Sequence, residues 1–532
     1  MQPFSNPWVP TLNAEYDQYK QRNMPQRSKV ITLQTGLTEA DWFTLARAEA
    51  SLVLPEDRME EVRANRVFLE EGLHREEEIW YGIHTGFGAL CNTRIGADRL
   101  EELQYNLVLS HACGCGPDAE PEVVRLMLAL KAHSLAMAYS GVRPEIIDAL
   151  LAFYNLDMLP VVPTQGSLGA SGDLAPLAHL VLPLLGLGLC DYQGSRIHGL
   201  KALELLGRTP LKLGAKEGLA LLNGTQYMLA SGWVALMRAR RLDHWATLCA
   251  ALSCEAFLVS DQPFDELIHR VRPHAGQQRA AEQMRLLREG SLLREIPRLA
   301  VQDPYAFRCI PQVHGTSKQV LDGWASVMQV ESDSVTDNPL VDHRLGKVLS
   351  GGNFHGQVLA MAFDHAALAI SEWASIAERR IFLLLSGTRG LPPFLATDSG
   401  VESGLMIAQY TAAALVSQNK QLATPTVVDT VPSSNGQEDH VSMGANGVNR
   451  LRFMLENTLT VQAIEWLTAN RALNYRKESI GPILHKWVVM YGDQVTLPSG
   501  DAQWSLYIQA TLEFMRSMPL DELAVTTATT PS

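Results

Sequence analysis

The amino-acid sequence predicts a mostly α-helical protein organised around a bundle of long helices, with a smaller α-rich domain at the N-terminal end. The first observation is that residues from about 229 to 480 have helical patterning almost throughout, for example over 356–380, 405–420 and 447–473. The second is that Leu451, Leu455 and Leu459 fall on one stripe of a helix. Helices of this length favour a bundle, and their alanine-rich faces suit close packing between subunits.

Length and charge limit the possible classes of protein. With 532 residues the chain exceeds what one compact core needs. The sequence predicts a flexible extension over 1–30, an N-terminal domain over 31–228, and the bundle with C-terminal helices over 229–532. A net charge of −13 excludes a general nucleic-acid binder, which would carry a basic surface.

Neither a membrane segment nor a disulfide framework is predicted. The apolar run 177–189 is shorter than the roughly 18 to 20 residues of a membrane span. Residues 1–27 lack the apolar core of a signal peptide, and seven cysteines, an odd number, do not make a disulfide framework. We therefore expect a soluble cytoplasmic protein.

The N-terminal domain contains clear helix signals. Thr38 predicts an N-cap with Asp41 reaching back to it, and 55–73 has the pattern of a charged amphipathic helix. The segment 101–111 predicts a helix that ends at His111, where a histidine is typically a cap or a satisfied core group.

The glycine-rich stretch 166–172 precedes an apolar helical run and has two interpretations. The first is a loop with a helix N-cap at Ser171 or Asp173. The second is chemical, because in a tight bend the amide nitrogen of Gly172 can attack the carbonyl carbon of Ala170, and glycine is the least hindered residue for that attack. Loss of two water molecules, one carrying the Ser171 hydroxyl, would leave an electrophilic methylidene on an imidazolone ring.

The longer string at 169–179, Gly-Ala-Ser-Gly-Asp-Leu-Ala-Pro-Leu-Ala-His, resembles the cofactor segment of the aromatic amino acid ammonia-lyases. This family includes histidine, phenylalanine and tyrosine lyases and some aminomutases. The resemblance implies a 4-methylideneimidazol-5-one (MIO) group formed autocatalytically from Ala170, Ser171 and Gly172, with no external cofactor. It also implies a fold of the aromatic amino acid lyase and fumarase-like type, whose N-terminal domain carries the MIO loop.

The glycine-dense loop 80–88 resembles the Tyr-Gly-x-x-Thr-Gly-Phe-Gly loop of the same family, although on its own it could be a surface turn. The resemblance gives Tyr81 the role of catalytic base. A tyrosine, whose unperturbed pKa is near 10, needs a lowered pKa or a proton relay to act as a base at neutral pH. His84 stands where the family more often has Asn or Thr, a difference that concerns the shape of the pocket.

Two further blocks resemble those that hold the amino acid backbone of the substrate. The block 218–226 implies that Asn223 hydrogen-bonds the substrate beside the MIO. The block 301–315 implies that Arg308 binds the substrate carboxylate, which its planar guanidinium matches in shape. In this block Tyr305 supplies a hydroxyl near the MIO, and Gln302 supports the binding site.

Other positions resemble those that face the substrate side chain. The family places His111, Phe354 and Gln437 there. The string Glu-Asp-His-Val-Ser-Met at 438–443 resembles histidine lyases, whereas phenylalanine and tyrosine lyases usually have Gln-Asp-x-x-Ser. The carboxylate of Glu438 can accept an imidazole N–H or take part in proton transfer. No second cluster at ligand spacing accompanies Glu-Asp-His, so no metal is predicted.

The resemblance covers about 30–475 and implies an MIO-dependent ammonia-lyase for an aromatic L-amino acid, foremost L-histidine, which would give trans-urocanate. The family implies a homotetramer in which three subunits build each active site. Tyrosine or phenylalanine ammonia-lyase and a related aminomutase are alternatives with the same chemistry. An inactive helical scaffold and a fumarase-like lyase without MIO are alternatives with different chemistry.

Overall fold

The computed structural model describes residues 27–73, 79–297, 300–519 and 522–523, and these are mostly helical, as predicted. The described α-helices are α1 (Glu39–Ala46), α2 (Glu56–Gly72), α3 (Leu100–His111), α4 (Pro121–Ala136), α5 (Pro144–Asn155), α6 (Leu174–Val181), α7 (Gly199–Leu205), α8 (Glu217–Leu222), α9 (Gln226–Ala256), α10 (Glu266–Arg270), α11 (Ala275–Arg288), α12 (Tyr305–Arg308), α13 (Ile310–Ser332), α14 (Gln357–Leu384), α15 (Met406–Leu422), α16 (Gly444–Leu473), α17 (Pro482–Gln494) and α18 (Trp504–Ser517). The longest, α9 and α16, have 31 and 30 residues.

The described strands are short and form small separate sheets. They are β1 (Lys29–Thr32), β2 (Ala50–Val53), β3 (Cys115–Asp118), β4 (Leu159–Pro160), β5 (Pro163–Gln165), β6 (Leu189–Tyr192), β7 (Ser195–His198), β8 (Leu340–Asp342) and β9 (Lys347–Leu349). Strands β1 and β2 pair in parallel, whereas β3–β5, β4–β6–β7 and β8–β9 are antiparallel. These sheets lie in or beside the segments that connect the helices.

The chain divides into two compact units. Unit 1 contains the described residues up to 234 together with 325–363 and 426–449. Unit 2 contains 235–324, 364–425 and the described residues from 450 onward. The division predicted from the sequence, at residues 30 and 228, is a different partition and stays a prediction, and residues 1–26 of the predicted extension lie outside the described residues.

Unit 1 is built around aromatic contacts between helices. Helix α1 begins with the predicted capping box, in which Asp41 N–H donates to Thr38 Oγ1 at 3.3 Å and Thr38 N–H donates to Asp41 Oδ2 at 2.8 Å. In the same helix the fully buried Trp42 stacks on Trp233, with ring centroids 6.4 Å apart. The indole N–H of Trp233 donates to Ser332 Oγ at 2.9 Å, which ties α1, α9 and α13 together within this unit.

Unit 2 contains the predicted helix bundle. The helices predicted over 356–380, 405–420 and 447–473 are confirmed as α14, α15 and α16, with ends that differ by a few residues. The predicted leucine stripe is buried, because Leu451, Leu455 and Leu459 are 0%, 3% and 7% exposed. Helix α13 packs on α14 through Ser317 Oγ, which donates to Ala369 O at 3.1 Å.

A buried ion pair joins two of these helices. Arg380 of α14 donates to both carboxylate oxygens of Glu465 of α16, at 2.6 and 2.9 Å, and both side chains are fully buried. Ser253 of α9 donates to the same carboxylate at 2.7 Å. Removing one partner of this pair would leave an uncompensated buried charge, so the contact opposes separation of the three helices.

Candidate active site

A cavity of about 840 Å³ in unit 1 brings together most of the predicted site residues. Its walls are the loop between α2 and α3, the last turns of α3, the start of α6, and the segments around 350 and 436. Seven of the predicted site residues line it, namely Tyr81, His111, Ser171, Asn223, Phe354, Gln437 and Glu438. Ala170 and Gly172 flank Ser171, so the predicted MIO segment lies at the cavity wall.

The loop at 169–172 is sharply bent. Gly169 and Gly172 have φ angles of +75° and +77°, which residues with a Cβ rarely adopt. A Cβ at Gly172 would overlap the carbonyl group of Gly224. That carbonyl accepts the Asp173 N–H at 2.7 Å, and the Gly224 N–H donates to Ser171 O at 3.4 Å. The residues therefore fit an MIO group, because the contacts of Gly224 hold the chain bent at Gly172, whose nitrogen would bond to the carbonyl carbon of Ala170.

Asp173 holds this loop through hydrogen bonds of its carboxylate. Its carboxylate accepts the Met228 N–H at 2.8 Å and the Ser167 hydroxyl at 3.1 Å. Complete burial raises the pKa of Asp173 to about 7, which these donated hydrogen bonds oppose. Asp173 occupies the N-cap position of α6, as one interpretation of the stretch predicted, but its side chain makes no capping hydrogen bond to the helix. The carboxylate instead ties the loop to the first turn of α9.

The surroundings of Tyr81 do not lower the pKa of its hydroxyl, as a catalytic base would require. Its hydroxyl accepts the Gly88 N–H at 3.1 Å. Burial raises the pKa of Tyr81, the nearby Glu438 charge adds to this rise, and the Gly88 N–H opposes it. The shift is opposite to the lowered pKa that the base role needs. To act as a base, Tyr81 would therefore need a nearby cation or a proton relay.

His84 supports the tyrosine loop without lining the cavity. Its Nδ1 accepts the Trp80 N–H at 3.1 Å, and the two rings lie 5.5 Å apart. Burial lowers the pKa of His84, which is consistent with a neutral ring that accepts this hydrogen bond. His84 therefore contacts the backbone of the loop and is not among the residues that line the cavity.

Glu438 is held by a short turn that the sequence prediction did not single out. Its Oε2 accepts the Ser433 hydroxyl at 2.7 Å, and its backbone carbonyl accepts the Ser433 N–H at 2.9 Å. Its Oε1 accepts the Ser171 hydroxyl at 3.3 Å. The Pro-Ser-Ser-Asn-Gly string before it, typical of a turn, was the available signal for Ser433.

His111 presents a neutral imidazole to the cavity. The Ser110 hydroxyl donates to Leu107 O at 3.2 Å and lies 3.0 Å from His111 Nδ1. The Ser110 hydroxyl can donate to either of these acceptors, so the donor and acceptor roles of the two ring nitrogens depend on the tautomer of His111. Burial lowers the pKa of His111, while the Leu107 carbonyl and the Glu438 charge oppose the shift.

Asn223 is almost fully buried at the inner end of the cavity. Its Nδ2 donates to Asn338 O at 3.2 Å. Its Oδ1 is buried and has no hydrogen-bond partner among the described residues. Its backbone carbonyl accepts from Lys131 Nζ at 2.6 Å, a contact that the sequence prediction missed because lysine in a helix is usually solvated.

Three predicted site residues lie elsewhere. Gln302, Tyr305 and Arg308 line a separate cavity of about 450 Å³ in unit 2. Arg308 lies 4.4 Å over the ring of Tyr305, and Tyr305 is 69% exposed. Arg308 Nε is buried without a hydrogen-bond partner in the described ranges. The described lining of the unit 1 cavity includes neither lysine nor arginine, so it lacks the predicted clamp for a carboxylate.

Two other classes of site are absent from the described residues. No three His, Cys, Asp or Glu side chains in these ranges converge as they would around a metal ion. No helix in the described part of the chain combines the length and apolar character that a bilayer span requires.

Comparison with known proteins gives consistent matches. A family described as aromatic amino acid lyase matches residues 37–491. Histidine ammonia-lyase from Symbiobacterium thermophilum is 46% identical over 92% of this chain and 97% of that protein. Histidine ammonia-lyase from Natranaerobius thermophilus is 47% identical over 79% of this chain and 83% of its own length.

Solved structures resemble the fold over nearly the whole chain. The crystal structure of histidine ammonia-lyase from Trypanosoma cruzi has a TM-score of 0.85 and 36% identity, covering 94% of this chain and 95% of that one. The tyrosine aminomutase from Streptomyces globisporus has a TM-score of 0.88 and 31% identity, covering 93% and 98%. The predicted fold class is thereby confirmed.

Proposed function

Because this chain belongs to the aromatic amino acid lyase family, we propose that it eliminates ammonia from L-histidine and releases trans-urocanate. The observation that carries the assignment to histidine is the Glu438 carboxylate in the cavity wall. A carboxylate can accept the ring N–H of an imidazole, whereas beside a phenyl ring it would stay without a partner. The similarity to histidine ammonia-lyases supports the same substrate.

The proposal includes an MIO group formed from Ala170, Ser171 and Gly172. Once formed, the MIO supplies an electrophilic methylidene that converts the substrate amine into a leaving group. The contribution of the chain is to hold the bend, through the contacts of Gly224 and Asp173. Formation of the ring removes the Ser171 hydroxyl, which is the partner of Glu438 Oε1 at 3.3 Å. That oxygen is then free to accept the ring N–H of the substrate.

Tyr81 removes the β-proton of the substrate in this proposal, with Glu438 as a helper in proton transfer. Burial raises the pKa of Tyr81, so the hydroxyl needs help to lose its proton. A cation brought to the cavity favours the phenolate by direct charge interaction. Phe354 and Gln437 complete the wall on the side of the substrate ring, and Asn223, which also lines the cavity, hydrogen-bonds the substrate.

In this proposal, the positive charge that the cavity lining lacks comes from another copy of the chain when the copies assemble. We place the enzyme in the cytoplasm as a homotetramer whose active sites are shared between subunits, so that Arg308, Tyr305 and Gln302 of another copy meet the cavity. Three observations support this: the lining includes no lysine or arginine, Tyr305 is 69% exposed, and Arg308 Nε lacks a described partner. Exposed apolar side chains on α14, α15 and α16 suit helix contacts between copies, namely Val358, Met361, Leu368, Phe382, Ile407, Tyr410 and Phe453.

A second candidate substrate is L-tyrosine. A neutral His111 ring in the tautomer with an unprotonated Nε2 can accept the hydroxyl hydrogen of a phenol as well as an imidazole N–H. This candidate keeps the MIO, Tyr81 and Arg308 in the same roles. It differs in leaving Glu438 without a ring N–H to bind.

The test is to incubate the purified protein separately with L-histidine, L-tyrosine and L-phenylalanine, with Ser171→Ala as the control. Ultraviolet absorbance reports urocanate, coumarate or cinnamate, and ammonia is measured in parallel. Turnover of histidine far above that of the other two supports the proposal. Preference for tyrosine contradicts the assignment to histidine, and a β-amino acid product without ammonia indicates an aminomutase.

A further inference from the structure

Lys131 is a fully buried lysine outside the residues assigned to the reaction. It lies in α4, is 1% exposed, and its Nζ donates to Asn223 O at 2.6 Å and to Ala220 O at 3.3 Å. Both acceptors belong to the C-terminal end of α8, where helix carbonyls lack donors within the helix and favour a cation. Burial lowers the pKa of Lys131 to about 7, Lys216 adds to this, and the charges of Asp337 and Asp173 oppose it.

The residues that Lys131 holds lead directly to the MIO segment. Asn223 is followed by Gly224, whose φ of +119° places it where a Cβ would crowd Thr336 and Gln226 at 2.6 Å. Gly224 makes two contacts with the loop, accepting the Asp173 N–H at 2.7 Å and donating to Ser171 O at 3.4 Å. A short chain of hydrogen bonds therefore runs from Lys131 through the Asn223-Gly224 turn to both sides of Gly172.

Ring closure depends on this geometry. The Gly172 nitrogen bonds to the Ala170 carbonyl carbon, and the carbonyl oxygen leaves as water with the amide hydrogens of Ser171 and Gly172. The Ser171 hydroxyl leaves as a second water with the Ser171 α-hydrogen. The step is intramolecular, so its rate depends on how closely the fold holds the two reacting atoms. If the Asn223-Gly224 turn moves, the bend at Gly172 relaxes.

We propose that Lys131 is a positioning residue for formation of the MIO, acting through the Asn223-Gly224 turn. This inference rests on the proposed function, because it needs an MIO to form. Without the Lys131 ammonium, the carbonyls of Ala220 and Asn223 stay buried without their donor. The turn then shifts to find other partners, and the loop loses its bend.

The test compares Lys131→Met with Lys318→Met. Lys318 is also a fully buried lysine, but it pairs with Asp243 at 2.7 Å in unit 2. Both variants lose one buried ammonium, so both are expected to lower the melting temperature. The readout is the mass of the proteolytic peptide that contains Ala170–Gly172, which is two water molecules lighter after the MIO forms.

We expect full loss of both waters in the wild type and in Lys318→Met, and at least tenfold slower loss in folded Lys131→Met. Complete water loss in folded Lys131→Met overturns the inference while leaving the proposed function intact. No water loss in the wild type overturns both. If Lys131→Met does not fold, the comparison is made with Lys131→Gln, whose shorter neutral amide should also slow the water loss.

Discussion

The cavity of unit 1 and the segment 302–308 of unit 2 have complementary chemistry. The described lining of the cavity contains the Glu438 carboxylate, His111 and Tyr81 but neither lysine nor arginine. The segment contains Arg308 stacked on an exposed tyrosine. A guanidinium is well suited to the carboxylate of an amino acid and a carboxylate to an imidazole ring, and each region supplies only one of these two groups. The residues proposed for catalysis therefore lie in two regions of the chain, and assembly of copies is part of the proposed function.

The largest expected effect is on the cavity side, at Ser171. Ser171→Ala keeps the backbone but removes the hydroxyl that must leave, so the electrophile cannot form. Turnover should fall on the order of 10³-fold or more, as when a central catalytic group is removed. Peptide mass should show no loss of two waters, and the circular dichroism spectrum should not change. A variant that keeps wild-type turnover would favour a lyase without MIO.

The second largest effect is expected at Glu438, the residue proposed to bind the ring of the substrate. Glu438→Gln removes the acceptor charge for the imidazole, and kcat/KM for L-histidine should fall by about 100-fold or more, as for other buried charged partners. Asp439→Asn is the matched control, because Asp439 is the next carboxylate in the chain but is exposed and does not line the cavity. Equal losses in the two variants would contradict the role of Glu438.

The third effect is on the unit 2 side, at Arg308. Arg308→Lys keeps the charge but loses the planar fork, so KM should rise by about 10-fold to 100-fold while the fold is unaffected. Arg270→Lys serves as control, since Arg270 is an exposed residue of α10. Unchanged KM in Arg308→Lys, with a lower melting temperature, would assign Arg308 a structural role.

The smallest effect concerns the orientation of His111. Ser110→Ala removes the hydroxyl beside Nδ1, and kcat/KM should fall by about 2-fold to 10-fold, the value of one hydrogen bond. An increase in kcat/KM would show that Ser110 does not orient the ring.

Titration of His111 should affect stability more than activity near neutral pH. Burial lowers the folded pKa of His111, so below the unfolded pKa of about 6.5 the unfolded state binds more protons than the folded state. The free energy of unfolding therefore decreases as the pH is lowered through this range. His111→Asn should therefore make the melting temperature less dependent on pH below that value. The same dependence in the variant and the wild type would exclude His111 as a source of it.

Most of the fold and part of the site could be predicted from the sequence. Long helices such as α16 have a regular apolar stripe, so their position follows from periodicity alone. Seven site residues lie in blocks with specific residue patterns, and the fold brings them to one cavity. The contact of Lys131 could not be predicted, because its partner Asn223 lies 92 positions further along the chain. The raised pKa of Tyr81 also depends on burial, which the loop sequence does not show.

The most direct test of the account is complementation between inactive copies. Tyr81→Phe alters the cavity and Arg308→Ala alters the unit 2 segment, and each alone should be nearly inactive. Mixed oligomers, purified through two different tags after co-expression, should regain a substantial part of the activity, because some sites receive intact groups from both copies. A mixture of Tyr81→Phe with Glu438→Gln should regain none, since both residues line the same cavity of one copy. Mixed oligomers of Tyr81→Phe and Arg308→Ala that stay inactive would contradict the shared active site.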